Sequence, residues 1–233
     1  MPTLYLIPTL LADDTAQMVL PPTIREIIEK TDTYFVENVR SARRFISSLK
    51  TSRIIDETLF FELTKDTPPT ETRRQIQELT ERKQHAGVLS EAGCPGVADP
   101  GAVVVGMAHT LGWRVEPLVG PSSILLALMA SGMSGQSFVF HGYLPIDRQD
   151  RARTLRNLEK EAQQHQQTQI FMETPYRNDA LFADILTSCQ ANTRLCVASN
   201  LTAPDALVRT LTIREWKSNV PDLRKKPTVF LLL

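Results

Sequence analysis

The segment Ser90–Gly101, SEAGCPGVADPG, constrains the fold more than any other part of this sequence. It holds three glycines, two prolines and two acidic residues, between an apolar run that predicts a strand and a run at 102–111 that predicts a helix. Glycine permits backbone angles that other residues resist and lets a ligand approach the main chain, whereas proline restricts the backbone. Open α/β sheets bind ligands at such strand–loop–helix connections, but an ordinary tight turn uses the same residues. The sequence therefore predicts either a binding loop or a plain connection.

The pattern along the chain predicts an α/β protein. Short apolar runs that predict strands alternate with helical runs in the first half, and the second half has more adjacent strands. We expect two α/β lobes, residues 1–118 and 119–233, with a ligand site in the cleft between them.

The composition argues against several classes of protein. Lys and Arg total 26, as do Asp and Glu, so any nucleic-acid site must be a local patch rather than a global field. The three cysteines include no CxxC pair, which argues against a disulfide framework or a structural zinc site, and no metal site is predicted. The N-terminal MPTLYLIPTLL has no basic leader, and the longest apolar helix candidate is too short to cross a bilayer. We expect a cytoplasmic protein without membrane association.

Several common catalytic motifs are absent from the sequence. It contains no GxGxxG, no GxxxxGK[ST], no HExxH and no GxSxG, and its four histidines are scattered. Standard dinucleotide, phosphate-loop, zinc-protease and serine-hydrolase functions are therefore not supported.

Four segments together resemble one known family. The loop Ser90–Gly101 is followed by the Gly-Pro-Ser turn 120–122, by FVFHGYLP at 138–145 and by FMETPYRN at 171–178. This order and spacing resemble the tetrapyrrole methylase superfamily of S-adenosylmethionine-dependent methyltransferases. Within that superfamily, the chain is most similar to the branch that methylates a ribose 2′-hydroxyl of small-subunit ribosomal RNA.

The resemblance implies S-adenosylmethionine as cofactor, with no metal, and ribosomal RNA or the small ribosomal subunit as partner. It also implies a homodimer. The residues expected to bind the cofactor lie in the strand-end loops of both lobes: Pro8, Gly93, Cys94, Pro95, Val97, Ala98, Ser122, Ser123, Met172, Leu201 and Pro227.

A ribose hydroxyl is a poor nucleophile, so a positioned general base would assist the transfer. Three carboxylates at strand ends are the candidates for this catalytic role: Glu37, Asp99 and Glu173. Asp99 has the alternative of capping the helix that it precedes, and Glu173 has the alternative of a structural ion pair with Arg177 four residues later.

Four arginines are the candidates for substrate binding. Arg177 belongs to the matched segment, and the other three lie within one turn of a predicted helix: Arg40, Arg43 and Arg44. The alternative for the helix is an ordinary solvated face, which is usual for charge clusters.

The sequence departs from the family pattern in two loops. The first loop reads Ile7-Pro8-Thr9-Leu10-Leu11-Ala12, without the glycine that the family usually has there, and Glu37-Asn38-Val39-Arg40 lacks an expected aspartate. Three functions therefore stay open: an RNA ribose methyltransferase, which we favour, a methyltransferase for a small tetrapyrrole-like acceptor, and a degenerate S-adenosylmethionine-binding protein.

Overall fold

A computed structural model describes residues 1–64 and 66–233. The described chain divides into two compact units, Met1–Ser122 and Ser123–Leu233, and each unit is built on one five-stranded sheet with helices. The predicted α/β class with two lobes is confirmed.

The first unit has a wholly parallel sheet in the order β3-β2-β4-β1-β5. Its strands are β1 (Thr3–Ile7), β2 (Thr33–Val36), β3 (Leu59–Glu62), β4 (Ala86–Leu89) and β5 (Arg114–Pro117). Its helices are α1 (Ala16–Val19), α2 (Pro22–Lys30), α3 (Val39–Ser48), α4 (Pro69–Glu81) and α5 (Gly101–Thr110), and Ile55–Glu57 form a short 3-10 turn. Because all five strands run the same way, the loops that follow them meet at one edge of the sheet.

Local sequence explains these elements. Strands β2 and β4 are buried along their whole length and consist, apart from Thr33, of small, aromatic and branched residues, as is typical of inner strands of a parallel sheet. Helices α2 and α4 each begin with proline, whose missing N–H costs nothing in the first turn. In α3 the Asn38 side chain caps the helix by accepting a hydrogen bond from the Ser41 N–H (3.1 Å).

The second unit has a mixed sheet in the order β6-β7-β10-β8-β9. Its strands are β6 (Phe138–Tyr143), β7 (Thr168–Glu173), β8 (Arg194–Ser199), β9 (Leu207–Thr212) and β10 (Thr228–Leu232), and its helices are α6 (Ser123–Ser131), α7 (Arg148–His165), α8 (Asn178–Ser188) and α9 (Ile213–Trp216). Strand β10 is antiparallel to both β7 and β8, and β6 is parallel to β7. The ends of β6, β7 and β8 and the start of β10 therefore lie at one edge.

Two elements differ from the sequence prediction. The short helix α1 lies inside the stretch 9–20 that the sequence predicts as loop. Strand β6 continues to Tyr143, although its sequence predicts a turn from Gly142. The pairing of β6 with β7 shifts register between Phe140 and Tyr143, and Gly142 there has φ +67°. The glycine therefore makes an irregularity within the strand rather than ending it.

An ion pair between α7 and α8 is buried in the second unit. Arg151 and Asp184 are 7% and 5% exposed, and the Arg151 guanidinium donates through Nε (2.8 Å) and Nη2 (2.5 Å) to Asp184 Oδ2. Arg151 Nη1 also donates to the carbonyl oxygen of Ile146 (2.9 Å), which holds the loop that joins β6 to α7.

Replacing Asp184 with alanine should destabilise the second unit by about 3–5 kcal/mol, because it leaves the Arg151 charge buried without a partner. Urea unfolding followed by Trp216 fluorescence in a Trp113→Phe background measures this. Asp150→Ala breaks the exposed pair with Arg153 on α7 of the same unit and should cost no more than about 1 kcal/mol. Equal effects of the two substitutions would show that the buried pair is not a stabilising contact.

Candidate active site

The loop after β4 is attached to the loop after β1 at one backbone atom. The carbonyl oxygen of Gly93 accepts hydrogen bonds from the Thr9 backbone N–H (2.9 Å) and from the Ser90 hydroxyl (3.0 Å). Thr9 and Ser90 are buried, so neither bond is exposed to competing water. Gly93 has φ +75°, a left-handed conformation that glycine adopts without strain. The loop is thus held in one shape before any ligand is present.

The turn at 120–121 closes against the same two loops. A Cβ atom at Gly120 would lie 2.3 Å from Pro8 Cβ, so only glycine fits beside that ring. A Cβ atom at Gly93 would lie 3.2 Å from Leu11 Cδ2 and 3.3 Å from the Pro121 carbonyl oxygen. The Cys94 thiol donates to that same carbonyl (3.4 Å), and burial raises its pKa, which keeps it protonated as a donor.

The rest of the loop is shaped around Asp99. Its Oδ1 accepts from the backbone N–H groups of Gly96 (2.8 Å) and Gly101 (2.7 Å), which join the loop to the start of α5. Its Oδ2 is buried and has no hydrogen-bond partner among the described residues. Burial raises the pKa of Asp99, while the two N–H donors act in the opposite direction. Asp99 therefore does hold the start of the helix, and one of its oxygens stays available.

Three further residues predicted to bind the cofactor lie in the same loop. Pro95 is buried, whereas Val97 is 49% exposed and Ala98 is exposed with φ +60°. Ser122 and Ser123 follow Pro121, and α6 begins at Ser123.

The first loop contacts the two neighbouring loops although it has no glycine. Thr9 supplies the N–H that binds the Gly93 carbonyl, and Pro8 supplies the surface on which Gly120 packs. Asp14, farther along the same loop, has φ +61°, a conformation that aspartate tolerates better than most residues.

Glu37, at the end of β2, is half-buried among other carboxyl groups. Burial raises its pKa, and the nearby charges of Asp99 and Glu91 raise it further. The structure thus brings together Glu37 and Asp99, two of the three carboxylates predicted to be catalytic, at the edge where β2 and β4 end.

A cavity of about 370 Å³ opens at this edge, within the size range of small-molecule sites. Its lining combines hydroxyl groups, three carboxylates, one guanidinium and an apolar wall: Thr9, Leu10, Asp13, Asp14, Ser41, Arg44, Phe45, Ser48, Ser90 and Glu91. Sequence reasoning missed most of these residues, because the hydroxyl and acidic side chains of the β1 loop and α3 belong to no motif.

The three arginines of α3 have different surroundings in the structure. Arg43 forms an ion pair with Asp56 beside the 3-10 turn. Arg44 lines the cavity, and Arg40 is exposed near the start of the helix. The predicted shared face is therefore divided: Arg43 has a neutralising partner, whereas Arg44 brings its charge to the cavity.

In the second unit the predicted residues gather at one sheet edge. Met172 lies near the end of β7 and pairs with Val229, Leu201 follows β8, and Pro227 precedes β10. The Pro227 carbonyl accepts from the Asn200 N–H (2.8 Å), so the segments that carry Leu201 and Pro227 are joined.

Glu173 is buried and ion-paired at this edge. Its Oε1 accepts from Arg177 Nη2 (2.6 Å) and from the Thr174 N–H (2.6 Å), and its side chain is 1% exposed. The Asn178 side chain, which sequence reasoning missed, donates to the Lys226 carbonyl (2.7 Å). The ion pair that the sequence offered as an alternative for Glu173 and Arg177 is thus present.

Two general features of the described residues complete the description of the site. No group of three or more His, Cys, Asp or Glu side chains in residues 1–64 and 66–233 is placed to hold a metal ion. None of the helices in that part of the chain combines the length and the hydrophobicity that crossing a bilayer requires.

Comparison with known families decides the relationship. A sequence model of the Tetrapyrrole (Corrin/Porphyrin) Methylases matches residues 16–217, most of the chain. The chain belongs to this family. The resemblance predicted from the four segments is confirmed.

Individual relatives agree with the family match. The chain is 28% identical over 179 residues to "Ribosomal RNA small subunit methyltransferase I" of Buchnera aphidicola, and 27% identical over 237 residues to the protein of that name from Vibrio cholerae. These matches cover 76% and 100% of this chain but 59% and 77% of the relatives. The chain therefore spans between half and about three quarters of the length of these relatives.

Solved structures share the fold. The methyltransferase CobJ superposes with a TM-score of 0.64 at 14% identity, covering 100% of this chain and 94% of that one. Uroporphyrin-III C-methyl transferase from Thermus thermophilus, solved with S-adenyl homocysteine, gives 0.54 at 16% identity, covering 99% and 96%. At these identities the comparison establishes the fold.

Glu91→Gln should lower the pKa of Glu37, because it removes a neighbouring negative charge and keeps the backbone N–H at position 91 that hydrogen-bonds the carboxyl group. NMR titration of the glutamate side-chain carboxyl signals measures this pKa. Glu57→Gln, an exposed site at the 3-10 turn, is the control and should leave it unchanged.

The raised pKa of Glu37 determines how the free energy of unfolding changes with pH. The folded state favours the protonated carboxyl, so this contribution to the free energy of unfolding is complete below about pH 4.5 and is lost as pH rises through the folded-state pKa. A pKa of Glu37 that does not fall in Glu91→Gln would contradict the proximity of these carboxyl groups.

Proposed function

We propose that this protein is an S-adenosylmethionine-dependent methyltransferase that methylates a ribose 2′-hydroxyl of small-subunit ribosomal RNA. The observation that carries the proposal is the loop Ser90–Gly101, held in one conformation at the carboxyl edge of a parallel sheet in a member of the tetrapyrrole methylase family. The names of the curated relatives support the RNA substrate. A cytoplasmic homodimer is the corresponding expectation for the whole protein.

The residues present suit this cofactor. The Gly93 position leaves little room for a side chain between Leu11 and Pro121, so main-chain atoms form the surface there. Asp99 Oδ2 is a buried acceptor without a partner in the described chain, as a site for a donor-bearing ligand requires. The proposed contacts are the backbone groups of Gly93, Cys94, Pro95, Val97 and Ala98. Pro8, Ser122 and Ser123 are further proposed contacts, and Met172, Leu201 and Pro227 are the proposed apolar contacts of the adenine.

The bound cofactor supplies an activated methyl group on a sulfonium, so transfer is an in-line displacement that needs no metal. The protein must orient the acceptor hydroxyl, because alignment of the reacting atoms provides much of the rate enhancement. A rigid loop serves this purpose, since little conformational entropy is lost when the ligand binds.

Glu37 is the proposed general base. A base works best when its pKa lies near the operating pH, and burial with two neighbouring carboxylates moves the pKa of Glu37 in that direction. Asp99 has one oxygen committed to two backbone N–H groups, so we assign it to holding the loop. Glu173 is almost fully buried in its ion pair with Arg177, so we assign both to positioning the β7 edge.

The cavity beside α3 is the proposed site of the acceptor nucleotide. Its hydroxyls and carboxylates suit the hydroxyl groups of a ribose, and Arg44 suits a flanking phosphate. Arg40 is the second proposed phosphate contact on α3, whereas Arg43 contributes less because Asp56 neutralises it. We prefer RNA to a tetrapyrrole acceptor because the curated relatives are named for ribosomal RNA.

Incubation with methyl-labelled S-adenosylmethionine and small ribosomal subunits from a strain lacking this protein should place label in the RNA. Alkaline hydrolysis should leave the label in a dinucleotide, because a methylated 2′-hydroxyl cannot attack the adjacent phosphate. Glu37→Gln should reduce the rate by about 100-fold or more while binding of S-adenosylhomocysteine is retained. Label in alkali-labile mononucleotides, or no label in RNA, would reject ribose methylation.

Gly93→Val should abolish binding of S-adenosylhomocysteine, measured by calorimetry in the presence of a chelator. A branched side chain there meets Leu11 and Pro121 and resists the backbone angle of +75°. Gly112→Val is the matched control, because Gly112 has φ +71° but no neighbouring atom within 4 Å of a Cβ. Equal affinities in the two folded variants would place the cofactor elsewhere.

A further inference from the structure

Two exposed aromatic side chains lie at the same edge of the second sheet. Tyr143 ends β6 and is 56% exposed, and Tyr176 lies in the turn after β7 and is 81% exposed. Strands β6 and β7 are parallel and Tyr143 is in register with Met172, so both strands end at this edge. Ile146, in the loop that follows β6, is 70% exposed. Large apolar groups exposed together mark an interaction surface.

The turn that carries Tyr176 is rigid. The Arg177 N–H donates to the Thr174 carbonyl (2.9 Å), and the Glu173 carboxylate binds both the Thr174 N–H and the Arg177 guanidinium. Glu173 itself is buried, so the base of the turn is anchored in the core. An aromatic ring on a rigid turn loses little entropy when it is covered.

Positive charge lies beside this turn. The Lys225 N–H donates to the Pro175 carbonyl (3.2 Å), which brings the segment 224–226 next to Tyr176. Arg224 and Lys225 are exposed, and neither forms an ion pair with another described residue. Lys226 in the same segment does pair with Asp205, so its charge is compensated.

Two neighbouring acidic groups have contacts of their own, whereas Asp179, three residues after Tyr176, is exposed. The Asp222 carboxylate accepts from the Arg224 backbone N–H (3.2 Å), and Glu173 is paired with Arg177. Arg148 follows the β6 loop and its side chain is 78% exposed, although it shares Asp184 with Arg151. The edge therefore combines exposed aromatic rings with cations that have no ionic partner.

We propose that Tyr143 and Tyr176, with Arg224 and Lys225, form a stacking surface for unpaired nucleotides of the RNA substrate. The inference rests on the proposed function, because it assigns a second contact to the same RNA. Bases that are not in a duplex expose faces that stack on aromatic rings, and their phosphates attract nearby cations. Neither contact depends on base identity, so this surface contributes affinity for single strands rather than sequence preference.

Fluorescence anisotropy with a labelled 12-nucleotide single-stranded RNA of mixed sequence tests the surface on the full chain. Tyr176→Ala should weaken binding at least about fivefold, and Tyr176→Phe should stay within about twofold, because the ring rather than the hydroxyl stacks. Arg224→Ala with Lys225→Ala should flatten the slope of log affinity against log salt by about 1.4, which is two phosphate contacts on a single strand.

The matched control removes the same charge elsewhere on the second unit. Arg156 and Lys160 are exposed on α7, so Arg156→Ala with Lys160→Ala should leave the slope unchanged. A duplex of the same sequence should bind more weakly than the single strand and should be insensitive to Tyr176→Ala. Calorimetry with S-adenosylhomocysteine on every variant shows whether the fold and the cofactor site are intact.

The outcomes separate the two proposals. If the wild type binds S-adenosylhomocysteine and RNA while the tyrosine and the charge variants bind RNA as the wild type does, this surface is wrong and the methyltransferase stands. If Tyr176→Ala changes the oligomeric state in sedimentation, the surface is a subunit interface and the inference is overturned. If the wild type binds neither probe, the proposed function itself fails.

Discussion

The two hydrogen bonds to the Gly93 carbonyl oxygen hold the first unit's loops together, and the arrangement around the candidate site depends on them. Thr9 comes from the loop after β1 and Ser90 from the loop after β4, so one buried acceptor joins two neighbouring strands. The turn at Gly120 then packs on Pro8 of the first of these loops. Buried hydrogen bonds are costly to leave unmade, so this junction favours a single loop conformation. A surface of main-chain atoms is the result.

Buried hydrogen bonds also favour a single conformation of the turn at the edge of the second sheet. Glu173 is buried, and its carboxylate binds a backbone N–H and the Arg177 guanidinium, so it organises a turn instead of facing solvent. The Asn178 amide then holds the carbonyl that precedes Pro227. Removing one partner from such a group costs more than the bond itself contributes, because a charge or polar atom stays buried alone. Glu173, a candidate catalytic carboxylate in the sequence, is thus bound within this turn in the structure.

Much of the fold could be predicted because its signals are local. Apolar runs indicated β2, β7 and β10, proline indicated the starts of α2 and α4, and the glycine-rich loop indicated the connection between β4 and α5. The different contacts of Arg40, Arg43 and Arg44 could not be predicted, because Asp56 comes next to Arg43 only in the folded chain. The left-handed backbone angle of Asp14 could not be predicted either. Contacts between residues far apart in the sequence, and the backbone angles of single residues, produce no periodic pattern in a sequence.

The measurement that most directly tests whether this loop receives the cofactor is a backbone NMR titration of the labelled protein with S-adenosylhomocysteine. The account predicts that the amide signals of Gly93, Cys94, Val97 and Ala98 shift most, together with those of Ser122 and Ser123. Signals from the far turn at Gly112 should not move. Saturable binding that leaves the loop amides unchanged and shifts residues elsewhere would contradict the account.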